Sequence, residues 1–157
     1  MAENLLLLGD SASREEKYRY LLPQLQSLLS GEKDWIAKMA NIAAASKQTF
    51  DFFWVGFYRV TEGELVLGPF QGPIACTRIS WGKGVCGTAW KEGRTIVVPN
   101  VEDFPGHIAC NSASKSEIVV PVFNQQEVVA ILDIDSDQLN DFGDKDILFL
   151  EKITKLL

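Results

Sequence analysis

The sequence predicts an α+β domain, with a central, mostly antiparallel β-sheet flanked by N-terminal and C-terminal helices. Three observations carry this expectation. Two apolar repeats of helical spacing precede residue 50, a series of short β-branched and aromatic runs separated by turn residues follows from residue 52, and a last helical repeat lies near the C-terminus. At 157 residues the chain has the length of one domain, with residues 1–48 expected to form a helical segment packed on the sheet. A domain of this size hides roughly 70% of its unfolded surface, enough for a full core.

Ser13 and Glu16 have the spacing of a capping box and open the first helix, in which Tyr18, Leu21, Leu22, Leu25, Leu28 and Leu29 recur every three or four residues. Gly31 can end it in a left-handed cap, and Pro23 predicts a local kink. A second helix is expected over residues 33–47, where Trp35, Ile36, Met39, Ile42 and Ala43 share a face. The run FFWVGFYRV at residues 52–60 then reads as a strand, turned by Thr61, Glu62 and Gly63 into a short partner at residues 64–67. Further strands are expected at 95–98, 118–123 and 128–133, the last two joined across residues 124–126. Residues 84–91 suit a short helix between them, while 69–82 and 99–113 read as long loops, a length that usually signals function. The stretch DFGD at 141–144 opens a C-terminal amphipathic helix through Ile147, Leu150 and Ile153.

Apolar residues form 46% of the chain and charged residues 23%, which fits a globular protein and excludes disorder. Fifteen Lys and Arg against 21 Asp and Glu give a net charge of −6 with no basic block, so nucleic acid is not an expected partner. The run Leu5–Leu8 is too short, and lacks the basic flank, for a signal peptide or membrane anchor. A cytoplasmic location is expected.

Three cysteines cannot all pair within the chain, and thiol chemistry is a better expectation than a structural framework. Cys86, on the predicted short helix, best fits a buried apolar role. Cys76 and Cys110 each sit in a long loop, and each follows an Ile-Ala pair. Cys76, Cys86 and Cys110 with His107 suggest a zinc set, but the spacing lacks the close ligand pairs of such sites. Asp133, Asp135 and Asp137 begin like a calcium loop that fails at its glycine and its twelfth position. No metal or cofactor is expected. Asp133 and Asp135 instead share one face of their strand, near the start of the strand that Glu117 opens, so three carboxylates collect at one sheet end. Repulsion and burial there would raise at least one pKa and leave an acid able to donate a proton. His107 reads as a turn residue and stays outside the catalytic set.

The segments ACTRI at 75–79, GKGVCGTAW at 82–90, FPGHIACNSASKSEIVVPV at 104–122 and LDIDS at 132–136, with FFWVGFY at 52–58, closely resemble the free methionine-R-sulfoxide reductases, catalytic GAF-domain proteins. The resemblance spans nearly the whole chain and implies a single GAF-like catalytic domain. It places the reactive cysteine at Cys110, the recycling cysteine at Cys76 and an auxiliary thiol at Cys86. Carboxylates that contact substrate fall on Glu117, Asp133 and Asp135, and an aromatic wall around the substrate methyl group on Trp54 and Tyr58. It also implies free L-methionine-(R)-S-oxide as substrate, a sulfenic acid that Cys76 converts to a disulfide, and thioredoxin as reductant; a homodimer is common for GAF domains. The rival readings are a non-catalytic GAF sensor of a small ligand and a redox sensor whose bridge is itself the output.

Overall fold

The computed structural model describes residues 4–157; residues 1–3, the start of the expected helical segment, lie outside them. Helix α1 (Arg14–Leu29) begins as its sequence dictates, with Ser13 Oγ accepting from the Glu16 N–H at 3.1 Å and Glu16 Oε2 accepting from the Ser13 N–H at 2.7 Å. Pro23 lies within this one continuous helix. Helix α2 (Trp35–Phe50) is capped by Asp34, whose side chain accepts from the Ala37 N–H, and it runs three residues past the expected end to a left-handed cap at Asp51. Two further helices follow, α3 (Gly84–Glu92) and α4 (Asp144–Thr154). The buried carboxylate of Asp146 in α4 accepts from the Tyr18 hydroxyl at 2.7 Å and pairs with Arg14, which locks α1 onto α4.

The sheet has six strands rather than the five expected, all pairings antiparallel: β1 (Trp54–Thr61), β2 (Glu64–Gln71), β3 (Arg78–Ile79), β4 (Ile96–Val98), β5 (Ser116–Asn124) and β6 (Glu127–Ser136), in the order β3-β2-β1-β6-β5-β4. The β1–β2 turn forms where Glu62 and Gly63 both take positive φ, 53° and 81°, the geometry of a tight hairpin. Three expectations need correction. Strand β2 extends beyond Leu67 because a register shift between Gly56 and Tyr58 sets Gly68 and Pro69 against Phe57, and a bulge tolerates a proline that a regular ladder would reject. The two residues of β3, read as loop, pair with Leu65 and Val66. Strand β6 continues to Ser136, so Asp135 lies inside the ladder rather than beyond it.

Period-two alternation splits the sheet into two faces. Val55 and Phe57, Ile118, Val120 and Val122, and Leu132 and Ile134 join a large core with α1, α2 and α4. Trp54 and Tyr58, Val119 and Ile131 face the other way, toward α3 and the long loops, where a second and smaller core forms. The sheet residues that the sequence singles out as site candidates share that second face.

Candidate active site

Register assembles the carboxylates. In the β5–β6 ladder Glu117 stands opposite Asp135, and Val119 opposite Asp133; in the β1–β6 ladder Trp54 is opposite Asp135 and Gly56 opposite Asp133. A side chain at Gly56 would run into Phe70 and Trp54, so glycine is required for the aromatic residues to close over the acids. Trp54 and Tyr58, both buried, stack with ring centroids 6.1 Å apart. Each also holds the loop after β2: Trp54 Nε1–H donates to the Pro73 carbonyl at 3.0 Å, and the Tyr58 hydroxyl to the Cys76 carbonyl at 2.9 Å.

Cys76 and Cys110 are joined by a disulfide, with Cα atoms 5.5 Å apart across a separation of 34 residues. The two long loops therefore meet over the carboxylates, and both cysteines are half-buried. Cys86 is buried and remains a free thiol. The apolar role read for it is incomplete, because its Sγ lies 3.7 Å from Glu117 Oε1 and its ligand atom falls within 4.8 Å of those of Glu117 and Asp133. The helix start at Gly84 delivers it there.

Trp54, Tyr58, Cys110, Glu117, Asp133 and Asp135 all line one cavity, which in this bridged state holds about 40 Å³, room for water but not for an amino acid. Its electrostatics follow from desolvation. Burial pushes the Glu117 carboxyl well up, and the neighbouring charges of Asp133 and Asp135 push it further. Burial likewise pushes Asp133 up to about 6. Asp135 rises through burial and then the charge of Asp133, opposed by the hydroxyl of Ser114, which donates to its Oδ1. The Cys86 thiol is held neutral by burial and by the three acids. Asp133 Oδ1 is buried with no hydrogen-bond partner among the described residues, and such an atom calls for a donor or cation from a ligand.

Two neighbours escaped the sequence reading. Ser114 is one of several small polar residues in its loop, and nothing in the sequence singles it out as the partner of Asp135. His107 Nε2 lies 3.9 Å from Glu117 Oε2, too far for a hydrogen bond. Burial lowers the His107 pKa, so a neutral imidazole faces a neutral acid and the contact is no ion pair. The Pro-Gly-His turn that carries it is a visible signal, one the sequence reading assigned to turn geometry alone.

A GAF-domain family model matches residues 37–157. GAF domain-containing protein A of Dictyostelium discoideum is 58% identical over 158 residues, covering 100% of this chain and 99% of the relative. Free methionine-R-sulfoxide reductase of Saccharomyces cerevisiae is 40% identical over 158 residues, covering 95% of this chain and 88% of that protein. The chain belongs to the free methionine-R-sulfoxide reductase family of GAF domains. An X-ray structure of free methionine-R-sulfoxide reductase from Neisseria meningitidis in complex with its substrate shares the fold at a TM-score of 0.93 and 48% identity, covering 98% of this chain and 93% of that one. The bridged pocket described above is the candidate site of this family member, and no helix among its described residues is long and apolar enough to cross a membrane.

Proposed function

We propose that this chain is an oxidoreductase that reduces free L-methionine-(R)-S-oxide to L-methionine, with the whole chain, N-terminal helices included, acting as one catalytic domain. The observation that carries the reading is the disulfide between Cys76 and Cys110 at a pocket lined by the buried Glu117 and Asp133 and the half-buried Asp135, in a family of sulfoxide reductases.

In the reduced enzyme the Cys110 thiolate attacks the sulfoxide sulfur while an acid protonates the oxygen, since an unprotonated oxide leaves poorly. Glu117 is the better donor: burial and two neighbouring acids keep its proton at neutral pH. Asp133, whose carboxyl titrates at about 6, carries a charge at neutral pH and with Asp135 receives the α-ammonium. The unpartnered Asp133 Oδ1 supports this division. A peptide-bound residue lacks the ammonium and would leave these groups unpaired, which selects the free amino acid. Trp54 and Tyr58 enclose the methyl group, and the substrate carboxylate falls to the Asn111–Ser112 end of the following loop, because the N–H groups of Ala113, Ser114 and Lys115 already donate within the chain.

The protonated oxygen leaves as water while the Cys110–sulfur bond forms; water then attacks the Cys110 sulfur, that bond breaks with its electron pair passing to methionine, and Cys110 is left as a sulfenic acid. Cys76 attacks it, hydroxide leaves with a proton as water, and the bridge forms. Thioredoxin then returns two electrons and two protons, with Cys86 as an auxiliary thiol beside Glu117. A cytoplasmic location, where thiols are kept reduced, and a homodimeric assembly complete the reading. Incubating reduced protein with the separated R and S sulfoxides tests it: methionine should form, and two thiols should be lost, with the free R isomer alone. Ligand binding without thiol loss would instead mark a sensor.

A further inference from the structure

We propose that Cys86, Glu117 and Asp133 form a binding site for Zn²⁺, and that the bound ion inhibits the enzyme by occupying groups that the substrate needs. The first half stands without the proposed function, and the second rests on it. One ligand atom from each residue, the Cys86 Sγ and a carboxylate oxygen of each acid, lies within 4.8 Å of the other two, and all three side chains are buried. In tetrahedral zinc, with Zn–S near 2.3 Å and Zn–O near 2.0 Å, sulfur and oxygen ligands stand about 3.5 Å apart. Cys86 Sγ and Glu117 Oε1 are already 3.7 Å apart. Helix α3 holds the thiol, and the β5–β6 ladder holds the two acids, with Asp133 opposite Val119, so rigid elements place every ligand. A second observation points to a cation: Asp133 is 6% exposed, and its Oδ1 has no hydrogen-bond partner among the described residues.

The donor set names the ion. Magnesium and calcium call for six or more oxygen ligands, whereas one sulfur and two carboxylates in a buried site suit a borderline divalent metal such as zinc. The cavity of about 40 Å³ has room for a water in the fourth position, although not for an amino acid. As the metal–sulfur bond forms, Cys86 gives its proton to solvent, and no electron changes hands. The two charges of the ion oppose the repulsion between the carboxylates, which protons otherwise relieve. With the metal in place, Glu117 has no proton to deliver and Asp133 no free oxygen for an α-ammonium. Zinc and sulfoxide therefore exclude each other.

The test uses chelator-treated, pre-oxidised protein, in which the bridge removes Cys76 and Cys110 and leaves Cys86 as the free thiol. Titration with Co²⁺, a coloured stand-in for zinc, should develop a near-ultraviolet sulfur-to-cobalt charge-transfer band and the visible bands of a four-coordinate ion, and equimolar Zn²⁺ should bleach both. Cys86→Ser should lose the charge-transfer band and weaken binding by about tenfold or more. Asp133→Asn, which keeps the thiol, should weaken binding by a similar factor and keeps the test open if the Cys86 variant fails to fold. In reduced native protein, Zn²⁺ should slow methionine formation in a single turnover, and rising sulfoxide should relieve it. Oxidised native protein without the band, a band that survives Cys86→Ser, or unchanged affinity in Asp133→Asn would overturn the site; inhibition that sulfoxide does not relieve would overturn its overlap with substrate. A native protein that shows the band but reduces no methionine sulfoxide would fail the functional reading and leave the metal site standing.

Discussion

Glu117 and Asp135 face each other directly across the β5–β6 ladder, and Asp133 lies two residues back on the same face. Like charges placed in opposition in a sheet are destabilising, and burial adds to the cost. The site therefore holds at least one proton at neutral pH, the proton that the proposed reaction consumes.

The cost is measurable as stability. Burial raises the Asp133 pKa from 3.8 to about 6, so protonation favours the fold. That contribution is complete below pH 4 and is lost as the pH climbs through 6, which amounts to about two pH units or ~3 kcal/mol. Asp133→Asn should therefore raise the Tm of the reduced protein at pH 8 by several degrees and change it little at pH 4, while abolishing tight substrate binding. A melting series at both pH values decides; an equal Tm change at each would show that ionisation of Asp133 is not the cost.

Bridge closure should also expel ligand. A cavity of about 40 Å³ cannot hold an amino acid. Titration calorimetry of oxidised native protein with free methionine-(R)-sulfoxide should give no binding heat. The reduced Cys110→Ser variant, which cannot form the bridge, should bind. Equal affinity in both states would mean that substrate occupies another place.

Ser114 is expected to act on substrate through Asp135. Its hydroxyl donates to Asp135 Oδ1 and favours the ionised form. Ser114→Ala should raise KM by about tenfold or more, the worth of one hydrogen bond to a charged group, with a smaller effect on kcat. Ser114→Thr, which keeps the donor, should restore most of the loss. A fall in kcat alone, without a change in KM, would assign Ser114 a different role.

How much of this was legible in the sequence differs from element to element. Ser13 with Glu16, the turn at Gly63 and the shared face of Asp133 and Asp135 are local signals, and the structure follows each of them. The length of β2 was not legible, because Gly68 and Pro69 mark a loop unless a bulge opposite Phe57 absorbs them, and bulges are properties of pairing. The same holds for β3, two residues that are a strand only by virtue of Leu65 and Val66. Pro121 escapes penalty inside β5 because β4 pairs only with Glu117, Ile118 and Val119. At the site, the thiols and acids were readable as types, and the resemblance supplied their roles. The approach of Cys86 to Glu117 and of Ser114 to Asp135 belongs to three dimensions.

The most direct test is a single turnover of reduced Cys76→Ser protein with one equivalent of free methionine-(R)-sulfoxide, read by intact mass, peptide mapping and methionine yield. We expect one methionine per chain, with one oxygen added at Cys110 as a sulfenic acid that dimedone traps. Methionine release with Cys110 unmodified, or the oxygen found on Cys86, would contradict the assignment of Cys110 as the attacking thiol.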